Sequence, residues 1–112
     1  MADPISVPAR ELVWELGPTL VATLAGTKDR TAPQSWADGT AEPDEHEAER
    51  LRAASESWHV VAAADGPDVA RAWFIGMNPW LGDVTPVSAI REGKFAQVRA
   101  AAQAAAKDTF SG

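Results

Sequence analysis

Glycine and proline divide this chain into short stretches, most of which have apolar residues at helical spacing. Gly17–Pro18 and Gly66–Pro67 each place a helix-stopping glycine before a first-turn proline, and Thr85–Pro86 places an N-cap residue before one. The chain has 23 alanines and no tyrosine, and its β-branched residues rarely alternate with polar ones. Strand signals are therefore weak. The pattern predicts an all-α protein built as a small helical bundle.

The spacing predicts seven helices, at about residues 7–16, 18–25, 30–38, 44–64, 67–76, 86–92 and 94–108. Ser6 and Asp65 are the expected N-cap residues of the first and fifth helices. The expected apolar positions of the fifth helix are Val69, Ala72, Trp73 and Ile75. Residues 77–83 are expected to form a loop with unusually high apolar content.

The net charge of −6 is concentrated in the first half of the chain. Residues 1–58 contain five basic and eleven acidic groups, whereas residues 59–112 contain five of each. Such an acidic balance argues against nucleic acid as the main partner. The length of 112 residues suits one compact domain, or two small modules that share a core, and is too short for a two-domain dehydrogenase. The chain has no cysteine, which excludes disulfides and thiol catalysis. The first residues do not resemble a signal peptide, which predicts a soluble, cytoplasmic protein.

A short basic and polar segment lies at the junction of the second and third predicted helices. Two short helices joined by a tight turn are typical of a helix-turn-helix. The side chains that would donate to phosphates or base edges are Lys28, Arg30, Thr31, Gln34 and Ser35. The segment 36–43, Trp-Ala-Asp-Gly-Thr-Ala-Glu-Pro, resembles the end of phage-repressor-type (Xre) domains. Pro33 requires the third helix to begin late, and the alternative is a helical packing module that does not bind DNA.

The most specific motif in the chain reads W-x4-NP-x-LG-x-x-TP-x3-I-x-x-G-x4-V and runs from residue 73 to residue 98. Asn78–Pro79 takes the chain out of helix, and Gly82 permits a tight reversal. On their own, these residues indicate only a corner between two helices. Trp80 differs from them because its position need not be buried. An exposed Trp80 beside Met77 would be an anchor for a protein interface.

This motif closely resembles the C-terminal domain of the MbcA/ParS/Xre antitoxins, the partners of RES-domain toxins. The resemblance covers roughly residues 53–108, and the Xre-like segment in front of it has the order expected of that family. It implies an Xre-like helix-turn-helix module at residues 1–43 and a helical toxin-binding module at residues 44–112. It also implies an antitoxin that occludes the active site of a NAD-consuming toxin, forms a homodimer and binds operator DNA weakly to repress its own operon. The toxin-binding side chains implied by position are Trp80, Arg99, Gln103, Lys107 and Phe110.

The sequence favours a binding function over an enzymatic one. None of the common phosphate-binding, dinucleotide-binding, hydrolase or metalloprotease motifs is present, so we expect neither catalytic residues nor a cofactor. His46 lies among Glu42, Glu45 and Glu49, but a solvated helix face accounts for that cluster better than a metal site. The alternative to an antitoxin is a stand-alone Xre-type transcriptional repressor.

Overall fold

The computed structural model describes the backbone of residues 4–111 and the side chains of residues 4–107. The described chain consists of seven α-helices and one turn of 3-10 helix: α1 (Ser6–Leu16), α2 (Pro18–Ala25), α3 (Ala32–Asp38), α4 (Glu45–Asp65), α5 (Pro67–Ile75), the 3-10 turn (Pro79–Leu81), α6 (Pro86–Arg91) and α7 (Phe95–Ser111). The predicted all-α fold is confirmed. No helix within the described residues is both long and apolar enough to cross a lipid bilayer.

Most helices end where glycine and proline predicted an end. Gly26 and Gly39 follow α2 and α3 in the left-handed conformation, which spares the Cβ clash that another residue would have. Two predicted N-caps are wrong. Ser6 is already the first residue of α1, preceded by Ile5 without a side-chain cap. Asp65 is the last residue of α4, because the helix continues until Gly66 breaks it.

The long helix α4 is the centre of the bundle. Asp44 caps it, accepting a hydrogen bond from the backbone N–H of Glu47 at 2.8 Å, while the Glu47 carboxylate accepts one from the backbone N–H of Asp44 at 2.8 Å. This reciprocal capping box satisfies donors that the first helical turn leaves unpaired. Helix α4 packs against α7 and α5, and also against α1 and α2. It therefore joins the two modules expected from the sequence.

Both modules contribute to one hydrophobic core. Leu12 of α1 and Leu24 of α2 are fully buried in the same cluster as Leu51 of α4, Ile90 of α6 and Val98 of α7. The Trp58 and Phe74 rings lie in this cluster with their centroids 6.2 Å apart. Because helices from both halves bury the same core, neither half has a complete core of its own.

Most of the apolar residues that the sequence places on α5 are exposed. Its buried residues are Ala70 and Phe74, whereas Ile75 and Val69 are exposed and Trp73 is half-buried. The side of α5 that faces inward is set by its packing on α4 and α6. The apolar residues of this segment do not by themselves indicate which side of the helix faces inward.

Candidate protein-binding surface

A tight corner joins α5 to α6, and Asn78 organises it. Its backbone is extended and pairs with Val84 in an antiparallel bridge, the Asn78 N–H donating to the Val84 carbonyl at 3.0 Å. Its side-chain oxygen accepts the backbone N–H of Trp80 at 2.9 Å. Gly82 and Asp83 then reverse the chain with φ of 71° and 66°. The side-chain bond and the bridge together give the corner one defined shape.

Buried residues fix this corner to the bundle. Leu81 is buried in the main core. Thr85 caps α6 by accepting the backbone N–H of Ser88 at 3.1 Å, and Pro86 is buried in the first turn. The 3-10 turn also packs against α7. Rigid support of this kind lowers the entropy lost when a surface binds a partner.

Three large apolar side chains project from the corner into solvent. Ile75 is 57% exposed, Met77 is 78% exposed and Trp80 is 63% exposed; we call these three residues the corner patch. Trp73, on α5 before the corner, is half-buried and lies edge-on to Phe74 with ring centroids 5.0 Å apart. Large apolar side chains clustered on a surface are typical of sites that bind other proteins. The structure thus exposes Trp80 and Met77 as expected and adds Ile75, which the sequence assigned to the apolar stripe of α5.

The predicted toxin-binding residues of α7 have different surroundings. Arg99 donates through Nε to the Glu56 carboxylate of α4 at 2.8 Å, and this pairing raises the pKa of the guanidinium. Gln103 and Lys107 are exposed. Helix α7 extends to Ser111, beyond its predicted end, and the side chain of Phe110 lies outside the described residues. Arg99 would have to share or exchange Glu56 in order to bind a carboxylate of a partner.

The candidate DNA-binding residues lie around a short α3. The helix begins at Ala32, later than predicted, with Pro33 buried in its first turn. Among the five candidates, Lys28, Arg30 and Thr31 precede the helix, while Gln34 and Ser35 lie on it. Pro33 therefore does not interrupt α3, because it stands where a helix tolerates proline.

Several of these donors already have partners close by. The Thr31 hydroxyl donates to the Asp29 carboxylate at 2.6 Å, and the Gln34 amide donates to the Asp38 carboxylate at 3.0 Å. The hydroxyl and backbone N–H of Thr31 lower the pKa of Asp29 and keep it ionised. Two carboxylates thus lie among the groups that would have to approach phosphate, which opposes DNA binding.

A second exposed apolar surface lies on α1 and was not expected from the sequence. Trp14 on α1 is 85% exposed and Val7, two turns before it, is 48% exposed. The signal was available, because Leu12 and Leu16 face the core and Trp14, two residues from each, must point the other way on a helix. The inward face of α1 does not include this tryptophan, so the sequence predicted no role for it.

The two histidines have separate surroundings. His59 lies 2.7 Å from the Glu11 carboxylate of α1, and His46 is exposed near the start of α4. Nowhere in the described part of the chain do three histidine, aspartate or glutamate side chains form a group that could hold a metal ion.

Comparison of this chain with protein-family models, curated proteins and solved structures gave no match.

Proposed function

We propose that this protein is an antitoxin that binds a RES-family, NAD-consuming toxin and occludes its active site. The observation that carries the proposal is the corner patch, formed by the Trp73–Val98 motif that resembles the toxin-binding domain of MbcA/ParS/Xre antitoxins. Repression of its own operon and formation of a homodimer belong to the same proposal. No residue of the chain is assigned a catalytic role.

The physical support is the cost of leaving this patch in water. A tryptophan side chain buries about 150–250 Å² when it is covered, at roughly 25 cal/mol per Å² of apolar surface. The hydrogen bond to Asn78 fixes the backbone of Trp80, so a partner has to order only its side chain. Aromatic residues on such supports are often the anchors of protein interfaces.

The direct experiment is co-expression with the protein encoded by the neighbouring open reading frame, which the proposal expects to be the toxin. We expect a stable complex, and we expect cells to survive expression of the toxin only when the antitoxin is present. Failure of both complex formation and rescue would contradict the proposal.

Trp80→Ala tests the binding surface. We expect the substitution to cost at least about 2 kcal/mol of binding free energy, roughly a 30-fold loss of affinity, measured by calorimetry with a catalytically inactive toxin. The matched control is Trp14→Ala, which removes an even more exposed tryptophan from α1, outside the corner. Far-UV circular dichroism should show unchanged helicity for both variants. Equal affinity for Trp80→Ala and the wild type would exclude the corner patch.

The second candidate is a stand-alone Xre-type repressor, which the exposed Lys28 and Arg30 favour. A gel shift on the upstream region of its own gene, repeated over a range of salt concentrations, distinguishes the two functions. Tight, salt-dependent binding by the isolated protein together with no toxin complex would establish the repressor. The carboxylates of Asp29 and Asp38 lead us to expect weak binding at physiological salt.

A further inference from the structure

Asp83, in the corner between α5 and α6, has a backbone conformation that this chain otherwise gives to glycine. Its φ is 66°, and it is the only non-glycine residue with a positive φ in the part of the chain that the structure describes. The other positive-φ positions in that part are Gly17, Gly26, Gly39, Gly66, Gly82 and Gly93. Aspartate tolerates the left-handed region better than most residues, but glycine adopts it without any clash of a Cβ atom. The corner therefore carries a side chain where glycine would fit with less strain.

The fold makes no internal use of the Asp83 side chain. Asp83 is exposed, and its backbone N–H donates to the Asn78 carbonyl at 3.0 Å. Among the described residues, neither a cation nor a hydrogen-bond donor pairs with its carboxylate. A glycine at this position would keep the backbone bond and lose nothing else that the fold uses. We therefore look for the role of the carboxylate outside the folded chain.

Asp83 and Trp80 are presented by the same short loop. The antiparallel bridge between Asn78 and Val84 closes residues 79–83 into this loop. The backbone N–H of Trp80 donates to the Asn78 side-chain oxygen at 2.9 Å, and that of Asp83 donates to the Asn78 carbonyl. One residue thus fixes the backbone on both sides of the loop. A surface that covers the mostly exposed Trp80 ring has to meet Asp83 as well.

We infer that Asp83 is the charged contact of the corner patch, and that it pairs with an arginine or lysine of the partner that covers Trp80. This inference rests on the proposed function, because it names the chemistry that the same surface recognises. A partner that packs on Trp80 removes water from the loop, and a carboxylate that loses water without a new partner is costly. A basic side chain offsets that cost best, because its charge-assisted hydrogen bonds are short and strong. The matching site is therefore an apolar recess with a cation at its edge.

Asp83→Gly tests whether the side chain serves binding rather than the fold. The variant should melt at the wild-type temperature or above it, because glycine adopts the left-handed conformation freely. It should nevertheless bind the protein encoded by the neighbouring open reading frame roughly tenfold more weakly, measured by calorimetry. A lower melting temperature together with weaker binding would mean that Asp83 acts through the shape of the corner, and would overturn the inference.

Asp83→Asn removes the charge and keeps the backbone conformation. Asparagine tolerates the left-handed region and has nearly the same size, so this variant should melt like the wild type. We expect its dissociation constant for the same protein to be roughly tenfold higher, mainly through faster dissociation. Glu42→Gln, on the connection between α3 and α4, is the matched control. It removes one negative charge from another exposed position and should bind like the wild type.

The dependence of affinity on salt gives a second measurement. The affinity of the wild type should fall as NaCl is raised, and this fall should be smaller for Asp83→Asn than for Glu42→Gln, because only the former loses an ion pair with the partner. Equal losses of affinity in the two variants would show that only the net charge matters, and would overturn the direct pair.

The same titrations separate this inference from the function on which it rests. A wild-type chain that forms no complex with the protein of the neighbouring open reading frame would overturn the proposed function, and this inference with it. A complex that Asp83→Asn forms as tightly as the wild type would leave the proposed function standing and overturn only the pairing of Asp83 with a basic side chain.

Discussion

Asp29 has a greater influence on the charge before α3 than its single carboxylate suggests. It accepts hydrogen bonds from both the hydroxyl and the backbone N–H of Thr31, at 2.6 and 2.9 Å. These bonds favour the ionised form and lower the pKa of Asp29. The carboxylate thus stays negative between Lys28 and Arg30, at the position where a DNA phosphate would have to approach.

The substitution Thr31→Val tests whether the Thr31 hydroxyl lowers the pKa of Asp29. The substitution keeps the shape and the backbone N–H but removes the hydroxyl donor, so we expect the pKa of Asp29 to rise, as measured by carbon-detected NMR titration. A carboxyl with a lowered folded pKa stabilises the fold above its unfolded pKa and loses that effect as pH falls through the folded value. The stability difference between wild type and Thr31→Val should therefore be present at neutral pH and vanish in acid. An unchanged Asp29 pKa would show that the backbone N–H alone sets it.

At the scale of the helices, the ends were easier to predict than the orientation of α5. Gly17, Gly26 and Gly39 each stop a helix through their own backbone conformation, so the sequence places those ends within a residue or two. The inward face of a helix depends on which neighbour covers it, which is a property of the whole bundle. This is why the sequence did not show that Ala70 and Phe74 are the buried residues of α5, and why Trp14 went unnoticed on α1.

A pair of neighbouring substitutions on α5 tests its orientation. Phe74→Ala should cost about 3–5 kcal/mol of the free energy of unfolding, since it empties a fully buried site. Ile75→Ala should cost less than about 0.5 kcal/mol, because its side chain is mostly in water. Urea denaturation measures both values. Similar costs at the two positions would mean that α5 is rotated from the arrangement described above.

At the scale of the whole molecule, the turn residues of the sequence located the corner between α5 and α6. Only the fold showed which residues surround this corner. The turn residues Asn78, Gly82 and Thr85 do what their chemistry predicts in any context. Pairing of Arg99 with Glu56 required the packing of α7 on α4, across 43 residues of sequence. The sequence thus identified a candidate binding corner, but it gave neither the third exposed residue of the patch nor the internal partner of Arg99.

The shared core predicts that the two modules unfold together. The radius of gyration is 13.3 Å, and a single compact domain of this length is expected to have about 13 Å. Helices α1 and α2 bury their apolar faces against α4 and α6, so residues 1–43 lack a core when α4 is absent. Far-UV circular dichroism and tryptophan fluorescence should therefore report one coincident urea transition. A fragment of residues 1–43 should show little helical signal, since isolated helices this short are marginal in water. Two separated transitions, or a well-folded fragment, would establish instead that residues 1–43 form an independent domain.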